Sequence, residues 1–537
     1  MRAFCVGQLR TSSRRSLERV LLLAATLVFV AACVPYVQTL GFGFIYDDYW
    51  TVVGNAHLDK PLGSLLAAMA SGQALRWGMP DATRPLMGLS LWLDRRFFGL
   101  SPAGHHLDST LLYALVSVAV GALCFALLRR WVAALAAGLA FAVSPLHSEV
   151  VAAVNYREDL LAALAVFAAL TLLHWPSSRV PHWRIYAASA AWFGALLSKE
   201  SACAAPLLLA ASCLVRRPPR ALSKQAVRLG ASALILGSTW LAWRLWLSHL
   251  GEQIPRAELG TFAQTLLRTA RYEAWAVGSS LFPVLARPEH APLPAASAAW
   301  LLVSLPIPLL AWCWWRFIRL RVPIGAVAIT WVASLGTSPL SAPINELGDR
   351  YCFVGSLGFA LLVGWLALEI SRKSAVSLAI GVTLLSLFGI AQSWRAARAW
   401  GTEVDLWTTA VATAPHSGRA WASLSRVHRL AAQDELAERT ALRALDERPG
   451  FVPALVALVL NDLVSGRVAL ARQRLASIRA VNATQRDNLR VASRCAEQPT
   501  ELEASECVRR AVPRGMVLGD TERLRTISTR LLGPPSP

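Results

Sequence analysis

Charged side chains are scarce in this sequence. They make up 16% of its 537 residues, while hydrophobic residues make up 55%. A soluble domain carries roughly 25% charged residues, so an ordinary soluble protein is excluded. Apolar runs of about 20 residues, each long enough to cross a membrane as a helix, recur instead. We predict eleven spans, near 19–39, 107–128, 132–149, 158–175, 185–198, 202–215, 229–249, 296–315, 323–341, 351–370 and 374–393.

Acidic residues are scarcer than basic ones, 33 against 53, and alternate connections between the spans contain almost none. Arginine-rich connections face the cytoplasm under the positive-inside rule. The net charge of +20 is therefore a sign of membrane topology, and we expect a lipid bilayer and no nucleic acid as a partner. The N-terminus is predicted inside and, after eleven crossings, the C-terminus outside. We expect a bacterial inner membrane, with the C-terminal region periplasmic or lumenal.

The N-terminus allows a second interpretation. Its arginines, the apolar run and the "VAAC" of Val30–Cys33 also fit a lipoprotein signal. The apolar stretch continues to Leu40, which favours an uncleaved anchor. Most of the nine cysteines lie within predicted spans; Cys495 and Cys507 lie outside them and could pair in an oxidising compartment.

Two long outer loops interrupt the spans of a predicted membrane domain, residues 1–400. The first, 41–106, contains two stretches with apolar residues at three- and four-residue spacing, typical of helices in the membrane interface. The second, 250–295, is expected to form an interfacial helix or a re-entrant hairpin, with a pair of spans as the alternative. The sequence thus predicts an all-α polytopic protein.

After the spans, the composition changes to alanine, arginine, leucine and glutamate with a 34-residue repeat. The repeated positions are Ala410, Pro415, Ala420 and Leu424, which recur as Ala444, Pro449, Ala454 and Leu458. This spacing is typical of tetratricopeptide repeats, which stack into a concave protein-binding surface. We predict such a solenoid over 401–518, with a generic helical tail as the alternative, and a poorly ordered segment over 519–537.

Common catalytic motifs are missing: the sequence has no Walker loop, no GxGxxG after a strand, no HExxH and no CxxC pair. His147 alone is too little for a metal site, so it is open whether a divalent cation takes part. Ionisable residues do gather at the predicted outer ends of spans, where charge marks function by default. They are Asp47, Asp48, Arg84, His105, His106, His147, Glu149, Arg157, Asp159, Lys199, Glu200, Asp349 and Arg350.

An acid pair beside apolar surface suggests proton transfer. A carboxylate can take a proton from a hydroxyl nucleophile, and a second acid nearby can tune its pKa. Asp47 and Asp48 are the candidate catalytic pair. Arginine and lysine can hold a phosphate. This combination at a membrane edge favours transfer of a group from a lipid phosphate to a hydroxyl.

Six segments in this order resemble the transmembrane and tetratricopeptide-repeat-containing O-mannosyltransferases and their bacterial relatives, which are multispanning glycosyltransferases of the GT-C fold. The segments are "FIYDDYWTVVGN", "RPLMGLSLWLDRRFFGLSPAGHHLDSTLLYAL", "SPLHSEVVAAVNYREDLLAAL", "LLSKESACAAPLLL", "GDRYCFVGSLGF" and "LWTTAVATAPHSGRAW". The resemblance covers nearly the whole chain.

The resemblance implies a polyprenyl-phosphate donor, usually of mannose, a protein hydroxyl as acceptor and inversion at the anomeric carbon. It places Asp47 and Asp48 at the active site. Two family motifs match only in part, because Ser144 and Tyr156 replace the usual histidine and glycine. The residues expected to bind the donor phosphate or substrate are Arg84, His106, His147, Glu149, Arg157, Asp159, Lys199, Glu200 and Arg350.

A second class of function stays open. The chain could be a non-enzymatic component that transports or anchors polyprenyl-linked glycans and recruits proteins through its repeats. Charges in the middle of a span would favour transport, and Arg244 is the main candidate, although it could also reach the interface by snorkelling. Acids at outer loop ends favour the enzyme.

Overall fold

A computed structural model describes residues 2–76, 79–177, 181–216, 225–250, 262–283, 286–290, 320–337, 347–478, 491–510 and 520–532. All regular secondary structure in these residues is helical, which confirms the predicted all-α class for them. The predicted span 296–315 lies outside the described residues, as do parts of the second outer loop and of the span 323–341.

Among the described residues, each of the other ten predicted spans contains a helix, and the second outer loop contains another. They are α1 Arg2–Cys33, α2 Pro102–Leu128, α3 Trp131–Ala142, α4 Arg157–His174, α5 His182–Ser198, α6 Ala205–Val215, α7 Ala226–Leu250, α8 Phe262–Leu281, α9 Arg321–Leu335, α10 Leu357–Ser371 and α11 Ala375–Arg398. Between α3 and α4, short helical turns fill Pro145–His147, Ser148–Ala152 and Val154–Tyr156.

The predicted count of eleven spans is not confirmed. By length and apolar composition, three described helical segments could cross a membrane: Ser16–Gly41, Pro102–Leu128 and Ala375–Arg398. A fourth candidate is the pair Trp131–Ala142 and Pro145–Ala152, which is bent by 53°. The sequence hides this bend because an apolar run contains it, while Pro145, which lacks a backbone N–H, begins a new helical turn.

Small residues allow the helices beneath the outer loops to pack closely. Gly121 of α2 faces Ala134 and Gly138 of α3, and a methyl group added at Gly138 would lie 2.7 Å from a Val28 methyl of α1. Close approach at small residues is a common way for membrane helices to associate. The packed helices form the base on which the loops with the predicted site residues lie.

The first outer loop has its own apolar core. Its two amphipathic stretches are helical, as predicted, with helices at Leu62–Ala70, Gln73–Arg76 and Pro85–Phe98. Their buried faces enclose Tyr49, Val52 and Met69 together with Val154 of the turn before α4. This packing fixes the loop that carries Asp47 and Asp48 against that turn.

The C-terminal region consists of successive helices: α12 Glu403–Thr413, α13 Gly418–Leu430, α14 Asp434–Glu447, α15 Val452–Val464, α16 Val468–Ser477 and α17 Glu501–Arg510. The repeated alanines and leucines Ala410, Ala420, Leu424, Ala444, Ala454 and Leu458 are all buried. The assignment of these helices to the tetratricopeptide family stays a prediction. Cys495 and Cys507 form a disulfide.

Part of the segment expected to be poorly ordered is helical. Residues Thr521–Leu532 form α18, in which Leu524 is fully buried. The Ser528 hydroxyl lies 2.8 Å from His428 Nε2, and Arg523 forms an ion pair with Asp405. This helix packs on α12 and α14, the first helices of the first two repeats.

The first repeat and the membrane domain share one hydrophobic core. Ile45 of the first outer loop, Ala152 and Ala153 of the bent segment, and Trp407 and Trp421 of the repeat are buried together. The boundary predicted near residue 400 is therefore crossed by continuous packing. This contact brings side chains of α12 and α13 close to the outer loop.

Candidate functional site

The two predicted catalytic acids lie in a tight turn of the first outer loop. Tyr46, just before them, has a positive φ of 48°, which is uncommon for a bulky residue because its Cβ crowds the backbone. The short helix Tyr49–Val53 follows. The turn directs the Asp47 and Asp48 side chains into different surroundings.

Asp48 is fully buried and bound to backbone. Its Oδ1 accepts a hydrogen bond of 2.8 Å from the Asn155 N–H, and its Oδ2 accepts one of 3.3 Å from the Ile45 N–H. Burial raises the pKa of Asp48 to about 7, although these hydrogen bonds oppose the rise. Asp48 therefore ties the outer loop to the turn before α4.

Asp47 is half-buried. Its carboxylate has no hydrogen-bond or ion-pair partner in the part of the chain that the structure describes. Burial raises its pKa to about 6, and the nearby cations Arg350, Arg419 and Arg426 oppose this rise. Such a carboxylate is ionised at neutral pH and free to accept a proton, as a general base must be.

Arg350 is fixed by three neighbours. Its guanidinium forms an ion pair with Glu149 and donates a 2.9 Å hydrogen bond to the Tyr351 hydroxyl. It also lies 4.6 Å from the ring centre of Tyr156 and 4.5 Å from that of Tyr351. Cation–π contacts on two rings hold the charge in one orientation. Tyr156, which departs from the family motif, thus has a definite contact here.

Arg350 also lines a narrow cleft between α4, α6 and α9. Tyr351 and Asp159 lie at its polar part, while the remaining wall is mostly apolar and includes Ala162, Val166, Ala202, Leu208, Ala333 and Val354. A cleft of this kind combines an apolar wall with charge at one place. Its chemistry suits a ligand with a hydrocarbon part and an anionic head.

Four other predicted residues belong to an acid-rich cluster that meets the Arg350 cleft at Asp159. Arg84 bonds Glu200 through two nitrogens, at 3.3 and 2.9 Å, and forms ion pairs with Asp81 and Glu158. Lys199 lies 2.5 Å from Asp159 and 3.6 Å from Glu158. Both cations are neutralised by carboxylates. We call this group, Asp81, Arg84, Glu158, Asp159, Lys199 and Glu200, the acid cluster.

Arg157 is placed inside the protein. It is fully buried, and its guanidinium contacts Asp94 at 2.5 Å, Asp108 at 3.2 Å and the His105 carbonyl at 2.8 Å. These contacts join α4, α2 and helix Pro85–Phe98. Its geometry is that of a residue that holds the outer-loop helix on the membrane domain.

The two predicted histidines are buried as well. His147 lies between the Tyr113 hydroxyl, 2.9 Å from Nδ1, and the Ser356 hydroxyl, 2.8 Å from Nε2. His106 Nε2 lies 3.3 Å from the Gly43 carbonyl. Within the described ranges, no group of three or more His, Cys, Asp or Glu side chains could hold a metal ion.

The structure adds residues that the sequence interpretation missed. Arg419 and Arg426 of α13 approach Asp47 from the first repeat, and Glu289 of the second outer loop pairs with Arg419. The two arginines are seven residues apart, so they lie on one face of a helix. The sequence spacing could have shown that the two arginines share a face, but only the shared core shows that this face lies toward Asp47.

Arg244, the candidate for a transport pathway, has a local partner. Its guanidinium lies 5.9 Å from the ring centre of Trp240 in the same helix. Asp349 likewise has partners in the second outer loop: His290 at 2.6 Å and the Arg287 N–H at 2.7 Å.

Comparison with known proteins gives partial matches, and no family model matches the chain. It is 34% identical over 221 residues to protein O-mannosyl-transferase Tmtc2 of Drosophila melanogaster, covering 38% of this chain and 23% of that protein. Tmtc1 of the same organism is 36% identical over 132 residues, or 24% of this chain and 15% of the relative. Mouse TMTC1 is 32% identical over 147 residues, which make up 26% of this chain and 16% of the relative.

The solved structure of ArnT from Cupriavidus metallidurans, bound to undecaprenyl phosphate, aligns with 91% of this chain and 78% of its own. Its TM-score is 0.39 at 14% identity, a likeness too distant to bear on fold or function. The matches to the O-mannosyltransferases span less than a quarter of those relatives' length. Over the residues that they cover, they confirm the predicted resemblance of this chain to the transmembrane and tetratricopeptide-repeat-containing O-mannosyltransferase family.

Proposed function

We propose that the chain is a membrane glycosyltransferase that moves a sugar, mannose or another hexose, from a polyprenyl-phosphate donor to a hydroxyl of a protein acceptor on the outer side of the membrane. The observation that supports this most directly is the unpaired carboxylate of Asp47 among Arg350, Arg419 and Arg426. A base surrounded by cations suits a reaction that needs both proton removal and binding of a phosphate.

Asp47 is the general base of the proposed reaction. Its carboxylate takes the proton of the acceptor hydroxyl while that oxygen attacks the anomeric carbon of the sugar. The bond from this carbon to the phosphate oxygen breaks, and polyprenyl phosphate leaves with the bonding electrons. Attack from the face opposite the phosphate inverts the anomeric carbon.

Arg350 is assigned to the donor phosphate. Its guanidinium is held by Glu149, Tyr156 and Tyr351 before any ligand arrives, so little side-chain entropy is lost on binding. The cleft that it lines has a mostly apolar wall beside this charge. A pre-ordered cation can stabilise the negative charge that develops on the departing phosphate.

Asp48 supports the site instead of reacting. A carboxylate that accepts two backbone hydrogen bonds is held away from a substrate proton, and it fixes the position of its neighbour. The predicted catalytic pair is thus divided into a base, Asp47, and a structural acid, Asp48.

The test is a transfer assay with the purified full-length chain in detergent. A labelled polyprenyl-phosphate mannose serves as donor, and proteins extracted from membranes of cells that lack the chain serve as acceptors. We expect label on protein with the wild type and loss of label with Asp47→Asn. Donor binding without transfer by the wild type, or full transfer by Asp47→Asn, would contradict the proposal and favour a transport or scaffold role.

A further inference from the structure

We propose that the first repeat, α12 and α13, is part of the transfer site and that Glu403 at the start of α12 is a positioning residue for Asp47. Glu403 acts through Tyr46, the residue that precedes the base. This inference rests on the proposed role of Asp47 and goes beyond it, because the repeats would otherwise serve only to bind an acceptor.

Tyr46 has an unfavourable backbone conformation. Its φ of 48° is strained for a residue other than glycine, and such conformations persist only where the surroundings hold them in place. Because Tyr46 and Asp47 share a peptide unit, a change in the Tyr46 backbone reorients the Asp47 carboxylate. The elements that restrain Tyr46 therefore control the position of the base.

The first repeat supplies those restraints from three sides. The Tyr46 N–H donates a 2.8 Å hydrogen bond to Glu403 Oε1, a contact between residues 357 positions apart. The Tyr46 ring meets the Trp407 ring edge-on, with 5.3 Å between centres. Arg419 Nη1 lies 3.5 Å from the Tyr46 hydroxyl.

Glu403 is suited to this role by its own surroundings. It is fully buried. Besides the Tyr46 N–H, its carboxylate accepts hydrogen bonds from Trp407 Nε1 at 2.8 Å and from Arg426 Nη2 at 2.7 Å. Three donors satisfy a carboxylate, whereas a glutamine amide would present N–H groups to some of them. Replacement by glutamine should therefore loosen Tyr46 while preserving the volume of the side chain.

The same repeat also sets the charge around the base. Arg419 and Arg426 stand on α13, and both lower the pKa of Asp47. Each uses one edge of its guanidinium for a carboxylate, Glu289 or Glu403, and both side chains are partly exposed. Docking of the first repeat thus determines both the orientation of Asp47 and its charge state.

The decisive variant is Glu403→Gln in the full-length chain. We expect kcat to fall by about 10²-fold, the effect of a displacement of roughly 1 Å at a reacting group, with the KM for polyprenyl-phosphate mannose unchanged. The acidic limb of the pH–rate profile should move to higher pH, because Asp47 moves away from the arginines. Loss of folded protein alone would lower the rate at every pH and leave the midpoint in place.

Glu447→Gln is the matched control. Glu447 is also a carboxylate of the repeats, paired with His416 and Arg443, but it has no contact with Tyr46. Its replacement should leave both kcat and the pH profile as in the wild type.

A second variant, Tyr46→Gly, decides the matter if Glu403→Gln does not fold. Glycine adopts the same φ without strain but loses the ring contacts with Trp407 and Arg419, so we expect lower kcat at unchanged donor KM. Wild-type kcat in folded Glu403→Gln or in Tyr46→Gly would overturn the inference. If Asp47→Asn is inactive in the same assay, that result leaves the proposed function intact.

Discussion

Two groups of charged side chains, the one around Asp47 and the acid cluster, are built in opposite ways. Around Asp47, three arginines surround a carboxylate that has no direct partner among the described residues. In the acid cluster, four carboxylates enclose Arg84 and Lys199, and both cations make direct ion pairs. In the first group the carboxylate of Asp47 is free, whereas in the second group the carboxylates and cations pair with one another.

This difference separates residues that look equivalent in the sequence. Breaking a buried ion pair leaves an unpaired charge and destabilises the fold, so the acid cluster should matter mainly for stability. A half-buried carboxylate without a partner adds little to stability and is available for chemistry. We therefore assign the donor phosphate to Arg350 and not to Lys199, although the sequence suggests both.

The largest effect is expected at Asp47. Asp47→Asn removes the base but keeps the shape of the side chain, and the loss of general-base assistance should lower kcat by about 10²–10⁴-fold. The donor KM should change little, because the base acts on the acceptor. Single-turnover transfer from labelled polyprenyl-phosphate mannose measures this.

Asp48→Asn is the paired control for that comparison. Its amide can no longer accept from both the Asn155 and Ile45 N–H groups, so it should lower the thermal midpoint in detergent more than Asp47→Asn does. The distinction between base and structural acid is wrong if Asp48→Asn is as stable as the wild type and has lost the same share of kcat.

The next largest effect concerns the pH dependence of the transfer rate, which should show a single acidic limb. With a pKa of about 6 for Asp47, the base is ionised above pH 6 and the rate should fall by about tenfold per unit below it. Arg419→Gln removes a cation that lowers this pKa, so the limb should shift to higher pH. A limb that stays fixed in Arg419→Gln would assign the titration to another group.

A smaller effect should distinguish Arg350 from Lys199 as the residue that binds the donor phosphate. Arg350→Lys keeps a charge beside Glu149 but loses the contacts with two tyrosine rings, and we expect the donor KM to rise by about tenfold, from loss of about 1.4 kcal/mol. Donor titrations followed by transfer rate measure this.

Lys199→Met should behave differently. It leaves Asp159 without its cation and Glu158 with Arg84 alone, and it should cost about 3–5 kcal/mol of folding stability, with the donor KM of the folded fraction unchanged. A raised donor KM in Lys199→Met, with Arg350→Lys as in the wild type, would move the phosphate to the acid cluster and reverse the comparison.

The smallest effect on transfer is expected far from both groups. Replacing Cys495 and Cys507 together by serine removes a crosslink that closes a 12-residue separation, and should lower the stability of the adjoining helices by about 2–4 kcal/mol. Transfer by folded protein should be unaffected, as limited proteolysis and activity on one sample can show. If this double variant instead lost kcat, repeats beyond the first one would also take part in transfer.

The sequence by itself determined the helical class and the 34-residue repeat. It also located the acids Asp47 and Asp48, and Arg350. These are local properties, because hydrophobic run length, periodicity and the cost of charge near a membrane can be read from neighbouring residues. The bend after α3 and helix α18 were missed, since each depends on a break or docking surface that apolarity alone does not reveal.

Only the tertiary structure decided which acid is free. Asp48 accepts a hydrogen bond from an N–H that lies 107 residues away in the sequence, and Lys199 is paired with Asp159, 40 residues away. Tyr46 meets Glu403 across 357 residues. Hydrogen bonds and ion pairs between distant segments form only when the chain has packed, so the difference between a free carboxylate and a bonded one lies in the fold and not in the residue type.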